Sequence, residues 1–164
     1  DTLMLVFLVN ITAAVGAFGF GYLQDRIGHK RALGITLIVW VLMIVLAAMA
    51  VNRPVFWTAA NLAGLAMGSS QSAGRAIVAI LSPKTRSAEF FSFWNMALWL
   101  AAIVGPLAYG SVTWIPNNAH RLAICVTGLF FAAAVLALIP VNLERGRRVA
   151  EETDAASRGT ASDH

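Results

Sequence analysis

The sequence predicts an all-α fold, a polytopic membrane bundle with five transmembrane helices. In composition, 59% of the 164 residues are apolar and 12% are charged, about half the charged share of a soluble domain. Charge-free apolar runs of roughly 20 residues, the length that spans a hydrocarbon core of ~30 Å, alternate with short basic clusters. These runs also lack the polar stripe that a soluble amphipathic helix shows every 3.6 residues.

The spans follow one another with short connections. We place them at about 3–22, 33–51, 55–81, 90–112 and 122–140. Pro54 marks a short turn before the third span, and Pro116 lies in the turn before the fifth. Residues 1–143 therefore form the transmembrane bundle. The tail, 144–164, is rich in Glu, Arg, Ser, Thr and Asp with little to bury, so we expect it to be disordered.

Basic residues are distributed unequally between the two sides of the predicted bundle. Nine Lys and Arg residues lie in the first loop, the third loop and the tail, against two on the opposite side. Cytoplasmic loops carry such an excess, so this side and the C-terminus are predicted to be cytoplasmic. The same bias explains the net charge of +4 without a nucleic-acid partner. An odd number of spans in this orientation fits a fragment, and we expect an N-terminal half in the same chain.

The five spans differ in polarity. The second and fifth are almost entirely aliphatic and aromatic, which suits lipid, whereas the first, third and fourth carry polar groups. Polar groups in hydrocarbon are costly unless they face partners or water, so these three spans are expected to line an interior. The candidates for that cavity are Asn10, Gln71, Arg75, Asn95 and Trp99. The three amides should face one side, and this asymmetry favours a transporter or channel over a simple anchor.

Two of these candidates have alternative interpretations. Gln71 and Arg75 are four residues apart and share a helix face. Arg75 lies near the cytoplasmic end, where it either snorkels to the interface or contacts an anion or carboxylate. Trp99 either lines the cavity or faces lipid or a neighbouring helix.

Several kinds of chemistry have no residues to support them. No Asp or Glu lies inside a span, so a proton-coupling carboxylate is not expected in this half. Cys125 is the single cysteine, which excludes an internal disulfide and a thiolate cluster. Neither a zinc spacing nor a glycine-rich phosphate loop occurs. The sequence therefore predicts no metal, no cofactor and no enzyme activity.

The most specific string is GYLQDRIGHKR at positions 21–31, between the first and second spans. Gly28 permits a tight turn with φ above zero. Asp25 is expected to pair with a cation of its own half, Arg86 first and Arg75 second. A basic loop that only sets topology is the alternative, although topology does not need this spacing of Gly, Asp and Gly.

This string resembles the signature loop of the major facilitator superfamily, G-x-x-x-D-R-x-G-R-R/K. The matches are Gly21, Asp25, Arg26, Gly28 and Lys30, and His29 replaces the usual first basic residue. In that superfamily the loop lies between the second and third helices of each six-helix half. The resemblance implies that the five spans are helices eight to twelve of a C-terminal half. It also implies a gating loop made of Gly21, Asp25, Arg26, Gly28, Lys30, Arg31 and Arg86.

A second set of motifs resembles the vacuolar amino-acid effluxer-like branch. It reads Q-x-x-x-R at 71–75, P-x-x-x-x-x-E-F-F at 83–91 and G-P at 105–106. The branch implies amino acids as the solute. Leu98-Trp99 stand where that branch has a glycine followed by a basic residue, so this cationic contact of the branch is not expected here.

Small residues and proline predict how two of the helices pack. Gly64 and Gly68 are four residues apart and allow close approach of another helix. Pro106, after Gly105, removes one backbone donor and is predicted to bend the fourth span. The bend serves either gating or plain geometry.

The leading hypothesis is secondary active transport of a small solute by alternating access, with this bundle moving in the bilayer against the N-terminal half. The alternative is a membrane scaffold or interaction protein of the same fold that does not transport. The polar side chains of the first, third and fourth spans argue against the alternative.

Overall fold

A computed structural model describes residues 2–114 and 120–162, and every element within these ranges is helical. The predicted all-α fold is therefore confirmed. The helices are α1 (Thr2–Ile27), α2 (His29–Ala48), α3 (Arg53–Leu81), α4 (Ser87–Thr113), α5 (His120–Leu138) and α6 (Leu143–Ser162), with a 3₁₀ turn at Lys84–Arg86. Helices α1 to α5 fall on the five predicted spans. The turn predicted at Pro116 lies outside the described residues.

Proline sets both ends of α3. Pro54 stands in the first turn, where its missing N–H has no helical partner to lose. At the other end Ser82 precedes Pro83, and a residue before proline is driven to extended backbone. Ser82 accordingly has φ −95° and ψ 129°, so the helix stops at Leu81.

Hydropathy separates α3 from α1, α2 and α4. Among the described residues, Thr2–Ile27, His29–Ala48 and Lys84–Thr113 are each long and apolar enough to cross a membrane. The bent pair Leu122–Leu138 and Leu143–Arg158, with an angle of 65°, is a fourth candidate if counted as one span. The polar residues of α3 lower its mean hydropathy, so α3 is not among these candidates. These findings agree with a multi-pass helical membrane bundle.

Helix α3 is the centre of the bundle. It contacts α1, α2, α4 and α6, while α2 also packs on α1 and α5, and α5 packs on α4. Most of the buried residues of α3 are small: Ala59, Gly64, Ala66, Gly68, Ser69, Ala73 and Gly74. Its polar character is thus compatible with a spanning position, because neighbouring helices cover much of its surface. In contrast, α4 has no fully buried residue.

The contact between α1 and α3 is made backbone to backbone at glycines. A Cβ at Gly68 would collide with the Ala13 carbonyl, and one at Gly64 would collide with the Val9 carbonyl oxygen and the Thr12 hydroxyl. Only glycine allows helices this close. The contacts also fix direction, since residues 9 and 13 of α1 meet residues 64 and 68 of α3. The two helices therefore run parallel.

The tail differs from the sequence-based expectation of disorder at 144–164, because residues 143–162 form α6. Two interactions within the described residues account for the helix. Arg147 and Glu151 form an ion pair of 2.8 Å one turn apart, which gives modest local support. Asp154 is buried against the 3₁₀ turn. A composition with little apolar surface predicted disorder, but it could not show that a carboxylate finds a distant partner.

Candidate functional site

The string at 21–31 forms less of a loop than its sequence predicted. Helix α1 continues to Ile27, five residues beyond the predicted end of the first span, so Gly21, Asp25 and Arg26 are helical. Gly28 alone separates α1 from α2, with φ 89°, a conformation that side chains disfavour. The connection between the first two spans is therefore a one-residue break between helices and not an extended loop.

The charged residues of the string make local contacts that differ from the predicted pair. Arg26 stacks on the ring of Tyr22, with its guanidinium carbon 4.7 Å from the ring centroid. Arg86 pairs with Glu89 at 2.6 Å. Asp25 is exposed and takes part in neither of the two ion pairs, Arg86–Glu89 and Arg147–Glu151, that join described residues. The prediction that Asp25 pairs with Arg86 or Arg75 is therefore wrong.

Lys30 connects the string to the end of α5. Its ammonium group donates to the carbonyl oxygens of Ile139 at 2.8 Å and Val141 at 2.7 Å. The Ile139 carbonyl directly follows the end of α5, where carbonyls lack intrahelical donors and the helix dipole favours a cation; the Val141 carbonyl lies in the α5–α6 connection. Lys30 thus holds the connection between α5 and α6 against the start of α2.

A cavity of about 670 Å³ lies beside this contact. Its wall combines the start of α2, the α5–α6 connection and the first turn of α6. Among the described residues, its cations are Lys30, Arg31 and Arg147 and its carboxylate is Glu144. The predicted solute-contact residues do not line it. The cavity belongs to the basic end of the bundle and is separate from the candidate transport pathway.

The predicted cavity residues of α3 and α4 lie at a similar depth. The Trp94 ring covers Gly74, which places Asn95 near the level of Arg75. Trp99 is four residues beyond Asn95 along α4, about 6 Å at 1.5 Å per residue. Because α4 returns alongside α3 after a short turn, Trp99 approaches the depth of Gln71. These four side chains form a band toward the basic end of the bundle, which we call the α3–α4 band: Gln71, Arg75, Asn95 and Trp99.

Exposure within the α3–α4 band is high. Arg75, Asn95 and Trp99 are exposed, and Gln71 is half-buried. Trp99 is 73% exposed. Arg75 makes no ion pair or hydrogen bond with any residue that the structure describes. At this depth the band therefore has a guanidinium, two amides and an indole that are at least partly accessible.

Asn10 lies apart from this band. Its neighbour Val9 meets Gly64, so Asn10 is about 10 Å along the axis from Gln71 at 1.5 Å per residue. Its amide donates to the Val6 carbonyl at 2.8 Å. The helix itself satisfies one donor, and the amide oxygen stays available.

The glycine and proline of α4 do not interrupt the helix. α4 runs from Ser87 to Thr113 with Pro106 inside it. A Cβ at Gly105 would meet no atom within 4 Å. In this half, Gly105 is therefore not needed for a close contact, and the proposed bend at Pro106 stays a prediction.

Sequence reasoning did not predict the burial of polar groups in three side chains. Gln24 lies within the signature string and is 8% exposed, and its Oε1 has no partner among the described residues. The Trp94 indole N–H is likewise buried without one. Asp154 is 7% exposed and bonds to the 3₁₀ turn. Only Asp154 carried a signal in the sequence, as an acid amid a polar tail, and that signal is weak.

Comparison with known proteins finds similarity along most of the chain. The family model described as vacuole effluxer Atg22 like matches residues 1–151. "Uncharacterized MFS-type transporter YxiO" of Bacillus subtilis is 27% identical over 139 residues, covering 84% of this chain and 32% of that protein. Autophagy-related protein 22 of Candida glabrata is 34% identical over 90 residues, covering 54% and 16%. The minor myo-inositol transporter IolF of Bacillus subtilis is 33% identical over 94 residues, covering 57% and 21%. The chain thus spans a third or less of these relatives.

Proposed function

Because the chain belongs to the family described as vacuole effluxer Atg22 like, we propose that the protein containing it transports a small solute across a membrane by alternating access. The bundle described above would be one half of that transporter and would work in a bilayer against an N-terminal half. Two relatives have names that include a solute, the myo-inositol transporter and a probable 4-methylmuconolactone transporter of Cupriavidus pinatubonensis. These names support transport as the general activity and differ in the solute.

Arg75 carries the proposal for the solute. It is exposed on the helix at the centre of the bundle and has no partner among the described residues. A guanidinium binds a carboxylate through two parallel hydrogen bonds, and such a contact is strong where water is excluded. Gln71 shares its helix face, and Asn95 lies at its level on α4. A solute with a carboxylate and further polar groups fits this set, and amino acids are our first choice.

The basic end of the bundle is proposed to lie in the cytoplasm. The string at 21–31, the 3₁₀ turn and α6 meet at this end, through Lys30 on the α5–α6 connection and Asp154 on the turn. Their Lys and Arg residues would then follow the positive-inside bias. The C-terminus would be cytoplasmic as well. A reporter protein fused after residue 164 tests this, since its fluorescence or enzyme activity depends on the side it occupies.

The transport proposal is tested by reconstituting the full-length protein in liposomes and measuring uptake of a panel of labelled amino acids. Arg75→Gln should raise the KM for a carboxylate solute by about tenfold, equivalent to ~1.4 kcal/mol, and Arg75→Lys should restore part of the affinity. Arg148→Gln, at an exposed arginine of α6, is the matched control.

Two results would contradict this proposal in different ways. An unchanged KM in Arg75→Gln would remove Arg75 from the solute contact while leaving transport intact. Folded, monodisperse protein without uptake of amino acids, myo-inositol or organic acids would favour the membrane scaffold instead.

A further inference from the structure

Helix α6 contributes a buried carboxylate to a turn that lies about 70 residues earlier. Asp154 Oδ2 accepts from the Lys84 amide at 2.9 Å. Its Oδ1 accepts from the Thr85 amide at 3.2 Å and from the Thr85 hydroxyl at 3.1 Å. The residue is 7% exposed. A carboxylate is buried only where such bonds compensate for lost water, so this contact is specific.

The turn that receives Asp154 has no cap of its own. The 3₁₀ turn at Lys84–Arg86 follows Pro83, which has no side-chain acceptor, and no side-chain cap bond is formed there. The first N–H groups of a helical segment lack internal partners, and Asp is among the side chains that cap them best. Asp154 supplies this cap from another helix. The Lys84 amide is the main reason that the pKa of Asp154 lies below its ordinary value, which keeps the carboxylate charged.

Two more contacts hold α6 at the same end of the bundle. Gly146 lies directly against the Leu81 side chain, at the last residue of α3. Ala150, one turn from each of Gly146 and Asp154, is 6% exposed. These three residues follow at intervals of four and share one helix face. That face of α6 therefore covers the end of α3 and the turn that leads into α4.

We propose that α6 is a strap across the basic end of the bundle, and that Asp154 is the positioning residue that fixes α3 relative to α4. The inference rests on the proposed function, because α3 and α4 carry the α3–α4 band and the 3₁₀ turn is their covalent connection. Apart from that turn, α4 contacts α3 only weakly and has no buried residue. The strap thus controls how readily α4 changes its position. Loss of Asp154 should alter turnover more than solute affinity.

The first arm of the test needs no transport. Full-length protein in liposomes is treated with trypsin, which cleaves after Lys84 and Arg86 when the turn opens. Asp154→Ala should raise the cleavage rate there by about tenfold, because cleavage follows the population of the open form. Asp154→Asn should give an intermediate rate. Glu152→Gln, at an exposed acid of the same helix, should leave the rate unchanged.

The second arm measures uptake by the same preparations. Asp154→Ala should change kcat by threefold or more with the KM within twofold. The kcat of Asp154→Asn should lie between those of Asp154→Ala and the native protein. Unchanged cleavage in Asp154→Ala would overturn the strap. Faster cleavage with unchanged kcat would overturn the positioning role. If the native protein shows no uptake, the positioning role fails with the proposed function, and the trypsin arm still decides whether Asp154 holds α6.

Discussion

Replacing Gly68 by alanine places a methyl group where α1 and α3 touch. The new Cβ would collide with the Ala13 carbonyl and lie 2.9 Å from the Ala17 amide nitrogen. These are backbone atoms, so no rotamer change relieves the collision and the helices must separate. Overpacking costs typically 1–3 kcal/mol, and we expect a collision with backbone atoms to cost about 3 kcal/mol, the upper end of that range. Alanine regains about 1 kcal/mol over glycine in a helix, so we expect a net loss of about 2 kcal/mol.

The matched control is Gly19→Ala in α1. A Cβ there would meet nothing within 4 Å, so only the helix propensity acts, and it favours alanine by about 1 kcal/mol. The two substitutions are chemically identical and should shift stability in opposite directions. The assay is thermal denaturation of the full-length protein in detergent, followed by size-exclusion chromatography. Equal shifts of the same sign would refute the tight α1–α3 interface.

Two further substitutions test the string at 21–31. Asp25→Asn should leave expression intact, since Asp25 is exposed and makes no ion pair with a described residue, and such surface substitutions usually change stability by less than about 0.5 kcal/mol. It should nevertheless favour the inward-facing state, which slows transport and increases labelling of cytoplasmic-facing cysteines, because ~1.4 kcal/mol changes the ratio of the inward-facing to the outward-facing state tenfold. Unchanged rate and labelling would mean that the string only sets topology. Lys30→Gln should speed proteolysis at the α5–α6 connection, since the two bonds to Ile139 and Val141 lose their cation. Arg31→Gln is its control, and equal proteolysis of both variants would contradict the role of Lys30.

The membrane helices were predictable because their signals are local and strong. Long charge-free runs leave only helices as a way to satisfy backbone groups in lipid. Pro54 and Pro83 mark the two ends of α3, and their backbone effects need no tertiary partner. Gly28 likewise marked the break between α1 and α2. The exact end of α1 was not predictable, because polar and charged residues after Tyr22 are compatible with both helix and loop.

Partners in long-range contacts were not predictable from residue type. Asp25 and Arg86 have complementary charges, yet Arg86 bonds to Glu89, three residues along. A partner on the same helical segment requires no ordering of a distant element, and conformational entropy opposes distant pairing. Asp154 shows the converse case, because its distant partners are amides of a turn fixed by Pro83 and already in place. The sequence does not show that the Asp154 carboxylate and the uncapped turn at Lys84–Arg86 are partners.

The register between helices limits how the candidate residues can act together. Contacts at Gly64 and Gly68 set α1 against α3, which puts Asn10 about 16 Å along the axis from Arg75 at 1.5 Å per residue. One extended residue covers only about 3.6 Å, so a free amino acid is short compared with this separation. If Arg75 holds the solute, as proposed, Gln71 and Asn95 are the nearer polar side chains along the axis and Asn10 is the farthest. If Asn10 contacts solute, it does so at a different position along the pathway, nearer the opposite end of the bundle.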